Sequence, residues 1–456
     1  MSKQNKIFIG VTASVFTLLL IYLGVAVHFK GHFYSGSKIN GVNVSGKTVE
    51  QAKEIVSNQL KSYKLTIKER GGKEEQISAS DIGLKDISYE KIKELKDNQK
   101  SLKWISAIFN KQNSEMKEGV SYSKNLLKKR LNKLSCVSGN NITDPKSASF
   151  KYTGQGYEVV KEVLGNRINK SVLFNKVAGA INDGKTTMDL DSEDCYVKPK
   201  YTSKSKKTIE TKKTLNKYVS SKVTYTFGNS SETLDGSKIN NWLKVDNNLN
   251  VTLDKQQVTN YLLNLAYKYN TIGTTRKFVT ASGKKINVKP GDYGWAISTY
   301  QETPKLLSII KSGKTVTKEP AYWQKAKVRG KNDIGDTYVE VSIKKQHLWY
   351  FKNGKLFIDY DVVTGNVLKG YATPKGVYYI KYKDKDAILK GQDYSSPVGY
   401  WLPFNRGVGI HDATWRTDFG GQIYKTNGSH GCVNSPLKKV KKLFNNIEAG
   451  CPVIVH

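Results

Sequence analysis

Cysteine is scarce in this chain and never paired at short spacing: Cys136, Cys195, Cys432 and Cys451 are all that 456 residues hold. Without a C-x-x-C spacing there is no zinc ribbon or dithiol redox motif, and so few thiols in so long a chain exclude a disulfide scaffold. Cys136 and Cys195 lie in one region; spacing leaves open whether they bridge or stand free, because it does not fix how near their backbones come. Acidic residues are also short. The 39 Asp plus Glu face 74 Lys plus Arg, a balance of +35 that is spread from the first segment to the last. A distributed field of this sign attracts polyanions, whether nucleic acid, an anionic wall polymer or a membrane surface. No nucleic-acid reader motif and no H-E-x-x-H metal spacing occurs.

Uncharged apolar runs of membrane length are limited to one, Ile7 to Val27, "IFIGVTASVFTLLLIYLGVAV". At about 1.5 Å rise per residue it covers roughly the hydrocarbon thickness of a bilayer. No polar stripe interrupts it, which makes a buried helix of a soluble protein the weaker alternative. Residues 1–6 ahead of it carry Lys3 and Lys6, which suits a cytoplasmic tail. The exit "VAVHFKG" is a poor cleavage site, so residues 7–27 are expected to be an uncleaved signal anchor with the rest of the chain outside the cell. Export disfavours nucleic acid as the partner.

Length favours two to four domains. After the apolar run, "GSKINGVNVSGKTVEQAKEIV" moves from strand and turn residues into an amphipathic stretch with Val49, Ala52, Ile55 and Val56 at helical spacing, so a folded domain begins near Ser35. Its later part, Gly165 to Thr186, matches Gly294 to Thr315 without a gap at Gly, Ile, Lys, Ile, Gly, Lys and Thr. The period is too long for a solenoid and predicts two copies of one α+β domain, 35–204 and 205–330. Between them "YTSKSKKTIETKK" is polar and reads as an exposed connection.

The last domain, 335–456, is expected to be mostly β. "TYVEVSIKKQHLWYF" alternates, turns at Asn353-Gly354 and returns as "LFIDYDVVTG", a hairpin. "GVYYIKYK", "GVGIHD" and the final "CPVIV" read as strands. One helix is predicted at "PLKKVKKLFNNI", with Leu437, Val440, Phe444 and Ile447 on its inner face, Ser435 as cap, Pro436 in the first turn and Gly450 at its end.

Near the end stands "KTNGSHGCVNSP". In an extended segment residues two apart share a face, so His430 and Cys432 can enter one cleft. Cys432 lies just ahead of the predicted helix, and an imidazolium together with the helix dipole would favour its thiolate. His411 ends the strand "VGIHD", where a general base could be presented to Cys432. Asp412, through its carboxylate or its main-chain carbonyl, could fix the imidazole tautomer. Alone, His-x-Cys is equally compatible with a small buried thiol. Zinc held by His411, His430 and Cys432 is a weaker alternative, so no metal or cofactor is expected.

The order "IHD" then "SHGCVN" resembles the signature of the L,D-transpeptidase catalytic domain, and "YVEVSIKKQHLWYFKNGK", "VVTGN" and "ATPKGVYYI" resemble its opening hairpin and Thr-Pro-x-Gly segment. The preceding copies resemble the peptidoglycan-binding domains found beside such units. The resemblance implies a β-sandwich-like catalytic fold, Cys432 as nucleophile and His411 as proton acceptor and donor, with His430, Ser429, Gly431 and Asn434 shaping the site. It leaves open how His411 and His430 divide the work. Main-chain N–H groups around Gly431 and Cys432 become candidates for the oxyanion site. It further implies a thioester on a tetrapeptide stem, a 3→3 cross-link in peptidoglycan and acylation by carbapenems. Water in place of the acceptor amine would make an L,D-carboxypeptidase. A sortase would need an Arg shortly after the cysteine, and none follows Cys432. A wall-binding protein without catalysis would be indifferent to loss of Cys432. The basic repeats could hold anionic wall polymers.

Overall fold

The computed structural model describes residues 3–109, 115–116, 120–330, 332–391 and 395–456. Met1 and Ser2 of the expected tail, and Lys331 at the expected domain boundary, lie outside the described residues. The apolar run is one helix, α1 (Lys3–Gly31), whose Ile7–Gly31 part is long and apolar enough to cross a membrane. The chain divides into two compact units, 1–149 with 159–208 and 150–158 with 209–456.

In the first unit, α2 (Val49–Lys61) starts at a capping box in which Thr48 and Gln51 satisfy each other's backbone N–H groups. Ala52 and Val56 from this helix join Phe33, Ile39, Val44 and Ile92 in a small core. Beyond it, β1 (Lys64–Lys68) and β2 (Glu74–Ser78) form a hairpin, α3 (Lys124–Asn132) and α4 (Lys170–Asn182) follow, and β3 (Thr187–Asp189) pairs parallel to β1. The second unit repeats this order. Its α5 (Lys206–Val219) precedes the hairpin β4 (Lys222–Phe227) and β5 (Ser230–Leu234); then come α6 (Lys255–Tyr269), α7 (Thr299–Ser312) and β6 (Thr315–Lys318), parallel to β4. The sheets read β2-β1-β3 and β5-β4-β6. The internal repeat is therefore structural: Ile168 and Ile297 are buried, Asn169 and Ser298 cap α4 and α7, and Gly184 and Gly313 take positive φ after them.

Helix α5 corrects the expected connection. From Lys206 onward the "linker" is helical, with Thr208, Thr211 and Leu215 buried. Threonine takes two of its four buried positions, Thr208 and Thr211 beside Leu215 and Val219, so the apolar stripe is broken in its first half; the Thr211 hydroxyl donates to the Leu249 carbonyl at 2.7 Å, which makes its burial tolerable.

The C-terminal part holds two sheets. One is ordered β9-β8-β7-β15-β10, from β7 (Tyr338–Ser342), β8 (His347–Lys352), β9 (Lys355–Asp361), β10 (Gly376–Tyr379) and β15 (Pro452–Val455). The other is β11-β12-β13-β14, from β11 (Asp384–Lys390), β12 (Ser395–Asn405), β13 (Val408–Asp412) and β14 (Val433–Ser435). Val339, Val341 and Leu348 from one, Leu402, Ile410 and Val433 from the other, and Val440 and Leu443 of α8 (Leu437–Asn446) share one core.

The expected first strand is two. The run from Tyr338 breaks at a turn where Gln346 is buried at φ 50°, its amide bonded to the Ile343 carbonyl and to both the backbone N–H and the hydroxyl of Thr364. The Asn353-Gly354 turn stands, both residues at positive φ as a two-residue hairpin turn requires. The helix α8 is displaced from expectation at both ends. Pro436 is its N-cap, Ser435 belongs to β14 with its hydroxyl on the Val433 carbonyl, and the helix closes at Ile447 before Gly450. Leu437 is exposed and Leu443 takes the expected inner position.

A shared core joins the second repeat to these sheets: Phe278, Val288, Tyr293 and Trp295 pack with Ile334, Val377 and Ile454. Within it Arg276 and Asp333, both almost fully buried, form a bidentate pair at 2.8 Å. All four cysteines are free thiols, Cys136 and Cys195 included.

Candidate active site

Three segments converge on Cys432. Strand β13 brings His411 beside β14, with His411 in register with Asn434. On the other side the extended segment after β9 exchanges Val363 N to Asn434 O at 3.0 Å and Asn434 N to Val363 O at 2.9 Å, and Ser429 N reaches Thr364 O at 3.0 Å. The cysteine loop is thus clamped between two strands.

The loop itself bends rather than running extended. Gly431 sits at φ 119°, a conformation that side-chain-bearing residues seldom adopt, and this turns His430 outward while Cys432 is buried at 8 % exposure. The expectation that His430 and Cys432 share a face by strand alternation is corrected accordingly, although both still line one cavity of about 190 Å³ with His411, Asn434, Trp415 and Arg416. Tyr371 lies against the His430 ring, centroids 4.8 Å apart. Ser429 holds the bend: its hydroxyl donates to the Cys432 carbonyl at 2.5 Å and accepts from Gly431 N at 3.1 Å.

Thr373 is a supporting residue that the sequence reading did not single out. Its hydroxyl donates to the Gly431 carbonyl at 2.8 Å and accepts from Gly365 N at 2.9 Å. The backbone there is so close that a Cβ on Gly365 would meet the Tyr371 carbonyl at 1.8 Å. The Thr-Pro-x-Gly segment therefore works as a brace for the cysteine loop.

His411 is nearly fully buried, and its tautomer follows from its neighbours. Arg416 can only donate, and its Nε meets Asn434 Oδ1 at 3.0 Å. The Asn434 amide must then turn its Nδ2 to His411 Nε2, at 3.0 Å, which makes Nε2 the acceptor. The proton resides on Nδ1, which donates to the Asp412 carbonyl at 2.8 Å. So Asp412 fixes the ring through its main chain. Its carboxylate is engaged elsewhere, accepting from Gly399 N at 3.1 Å and Tyr400 N at 2.7 Å.

Burial disfavours charge on both His411 and Cys432. Burial holds the His411 imidazole below its ordinary range, with the Asp412 carbonyl opposing and Arg416 adding to the depression. Burial likewise pushes the Cys432 thiol up to about 11, against a smaller opposing contribution from the Gly409 backbone. The expectation of a thiolate favoured by the helix dipole is thereby corrected: β14 and Pro436 separate Cys432 from α8, and desolvation dominates. The thiol packs with Val398 and Trp401 and donates weakly to the Gly407 carbonyl at 3.7 Å.

Residues 336–455 match the family described as L,D-transpeptidase catalytic domain, and residues 75–189 and 201–318 match that described as "Putative peptidoglycan binding domain". The chain is 37% identical to an Enterococcus faecium L,D-transpeptidase mutant of known crystal structure, over 55% of this chain and 100% of that one, with TM-score 0.46. It is 47% identical to the catalytic domain of E. faecium L,D-transpeptidase acylated by ertapenem, over 27% of this chain and 98% of that one, TM-score 0.25. A Mycobacterium tuberculosis protein described as probable L,D-transpeptidase 3 is 30% identical over 97 residues, 19% of this chain, which spans 35% of that relative's length.

Proposed function

Because this chain belongs to the L,D-transpeptidase family, whose catalytic domain it carries behind two matches to the peptidoglycan-binding family, we propose that it is a membrane-anchored cysteine transpeptidase that joins peptidoglycan stem peptides by 3→3 cross-links. The observation that carries the reading is the placement of Cys432 and His411 on one cavity, with Nε2 the unprotonated ring nitrogen, its lone pair held by the Asn434 amide.

In this reading the Asn434 amide releases His411 Nε2, whose freed lone pair takes the Sγ–H proton as sulfur attacks the carbonyl between the third residue and the terminal D-alanine of a tetrapeptide stem. The C–N bond breaks, the proton goes to the departing amine, and a thioester remains on Cys432. The side-chain amine of a second stem's third residue then attacks the thioester, giving a proton to Nε2 that returns to sulfur. The Asn434 amide disfavours a lasting imidazolium, because a hydrogen bond to the neutral ring favours that form; the proton is held briefly and passed on. Ser429 already occupies the Gly431 N–H, so the Cys432 N–H is the donor assigned to the developing oxyanion. His430 and Tyr371 form the outer wall.

The domains are assigned as residues 35–204 and 205–330 for wall binding and 335–456, β-sandwich-like, for catalysis, with α1 as a signal anchor that places all three on the wall side of the cell membrane. The +35 balance supports contact with anionic wall polymers. Carbapenems are expected to acylate Cys432. The test is Cys432→Ala followed by mass spectrometry of muropeptides: 3→3 dimers should vanish. Their persistence would refute the reading, and tripeptide stems formed without dimers would mark a carboxypeptidase.

A further inference from the structure

Arg416 does more than orient Asn434. Its Nε is committed to that amide, but Nη1 and Nη2 have no hydrogen-bond partner among the described residues and are not buried atoms, and Arg416 lines the cleft. Among the described residues no Asp or Glu lines that cavity: Asp418, nearest to Arg416 in sequence, accepts from the Thr417 hydroxyl, and Asp412 spends its carboxylate on Gly399 and Tyr400. Arg416 therefore puts the one fixed charge among the described lining residues into the cleft wall. It is also partly desolvated, which holds its guanidinium below the usual range. A cation with free donors, short of water and of a counter-ion, is a site for an anion, and a guanidinium's paired N–H groups match a carboxylate.

We propose that Arg416 is the specificity-determining residue for the donor stem and binds the terminal carboxylate of the D-alanine that leaves. This rests on the transpeptidase reading. Only the amide nitrogen and Cα separate that carboxylate from the carbonyl that Cys432 attacks, so one small cavity can hold both. The same contact reaches the proton acceptor. An anion on Arg416 offsets the positive charge that depresses His411, so a correct donor raises the affinity of Nε2 for the thiol proton when the transfer is needed.

The test compares full chain in detergent, wild type, Arg416→Gln and Arg416→Lys, acting on a tetrapeptide stem and on the same stem ending in a carboxamide, with the Cys432 thioester read by mass. Wild type should acylate about tenfold or more faster from the carboxylate, the value of one charge-assisted pair. Arg416→Gln should bring the two donors within about twofold of each other, with Arg416→Lys between. Equal slowing of both donors, or a wild type that does not discriminate, overturns the proposal and leaves Arg416 as a support for Asn434. A second arm needs no turnover. N-acetyl-D-alanine should slow iodoacetamide labelling of Cys432 in wild type and not in Arg416→Gln, while N-acetyl-D-alaninamide should slow neither. Carboxylate-selective protection without acylation by either stem would overturn the transpeptidase reading and keep the anion site; acylation without selectivity would do the reverse.

Discussion

His411 Nε2 is held by Asn434 Nδ2 at 3.0 Å, so the ring that faces the thiol cavity is steered by an amide rather than by sulfur. Replacing that amide by a carboxylate reverses the electrostatics. In Asn434→Asp the new charge lies beside both Nε2 and Arg416, favours the imidazolium and raises the His411 pKa. Thioester formation should fall by roughly 10², with the pH optimum moved upward, because the ring stays protonated to higher pH. A pH–rate profile of Cys432 acylation checks this; an unmoved profile would mean that Asn434 does not set the protonation of His411.

Burial of His411 and Cys432 has a pH signature in stability. His411 is depressed, so the unfolded chain takes a proton below about 6.5 that the folded chain resists; its contribution is complete above that value and is lost as pH falls. Cys432 is raised from 9.0 to about 11, so the unfolded thiol ionises first; its contribution is complete below 9 and is lost as pH rises toward 11. The difference in urea midpoint between wild type and Cys432→Ala should therefore shift across pH 9 to 11. In the same range iodoacetamide labelling of Cys432, mapped by peptide mass, should keep accelerating rather than level off near the ordinary thiol value.

Much of this site was legible because its chemistry is local. His411, Asp412, Ser429, His430, Gly431, Cys432 and Asn434 fall in two short segments, and the parallel pairing of β13 and β14 brings those segments together. Arg416 and Thr373 were not legible. Each acts through side-chain hydrogen bonds outside its own segment, Arg416 to Asn434 and Thr373 to Gly431 and Gly365, and neither type is unusual in a loop. The thiol's environment was misjudged for a related reason: proximity to a helix start is visible in sequence, whereas desolvation by Val398 and Trp401 depends on tertiary packing. Helix α5 escaped because Thr208 and Thr211 take the inner positions of its first half.

The Arg276–Asp333 pair ties the second repeat to the catalytic sheets through an ion pair with almost no solvent access. Removing one partner leaves a buried charge, so Asp333→Asn should cost about 3–5 kcal/mol, while replacing both by apolar residues should cost far less. Urea unfolding of the single and double variants measures the difference. Equal losses in the two would show that the charge pairing is not what matters there.

Gly431 is required for its backbone and not for space. A Cβ there would meet Val408 at 3.5 Å and the Tyr371 carbonyl at 3.7 Å, ordinary contacts, but φ is 119°. Gly431→Ala should cost about 1–3 kcal/mol in strain, or relax the loop and move the sulfur. Thermal unfolding with and without Cys432 labelling separates these outcomes.

Thr373 offers the cleanest separation of shape from bonding. Val is nearly isosteric, yet Thr373→Val removes both the donor to the Gly431 carbonyl and the acceptor for Gly365 N, leaving buried polar groups unmet at about 1–3 kcal/mol. Thr373 itself is buried, so water does not readily substitute. Because one bond falls on the carbonyl just before Cys432, the loss should show as slower acylation as well as a lower unfolding midpoint. Thr373→Ser, which keeps the hydroxyl and drops only the methyl, should restore most of the acylation rate. If Ser and Val behave alike, the brace works by filling space and the hydrogen bonds are incidental.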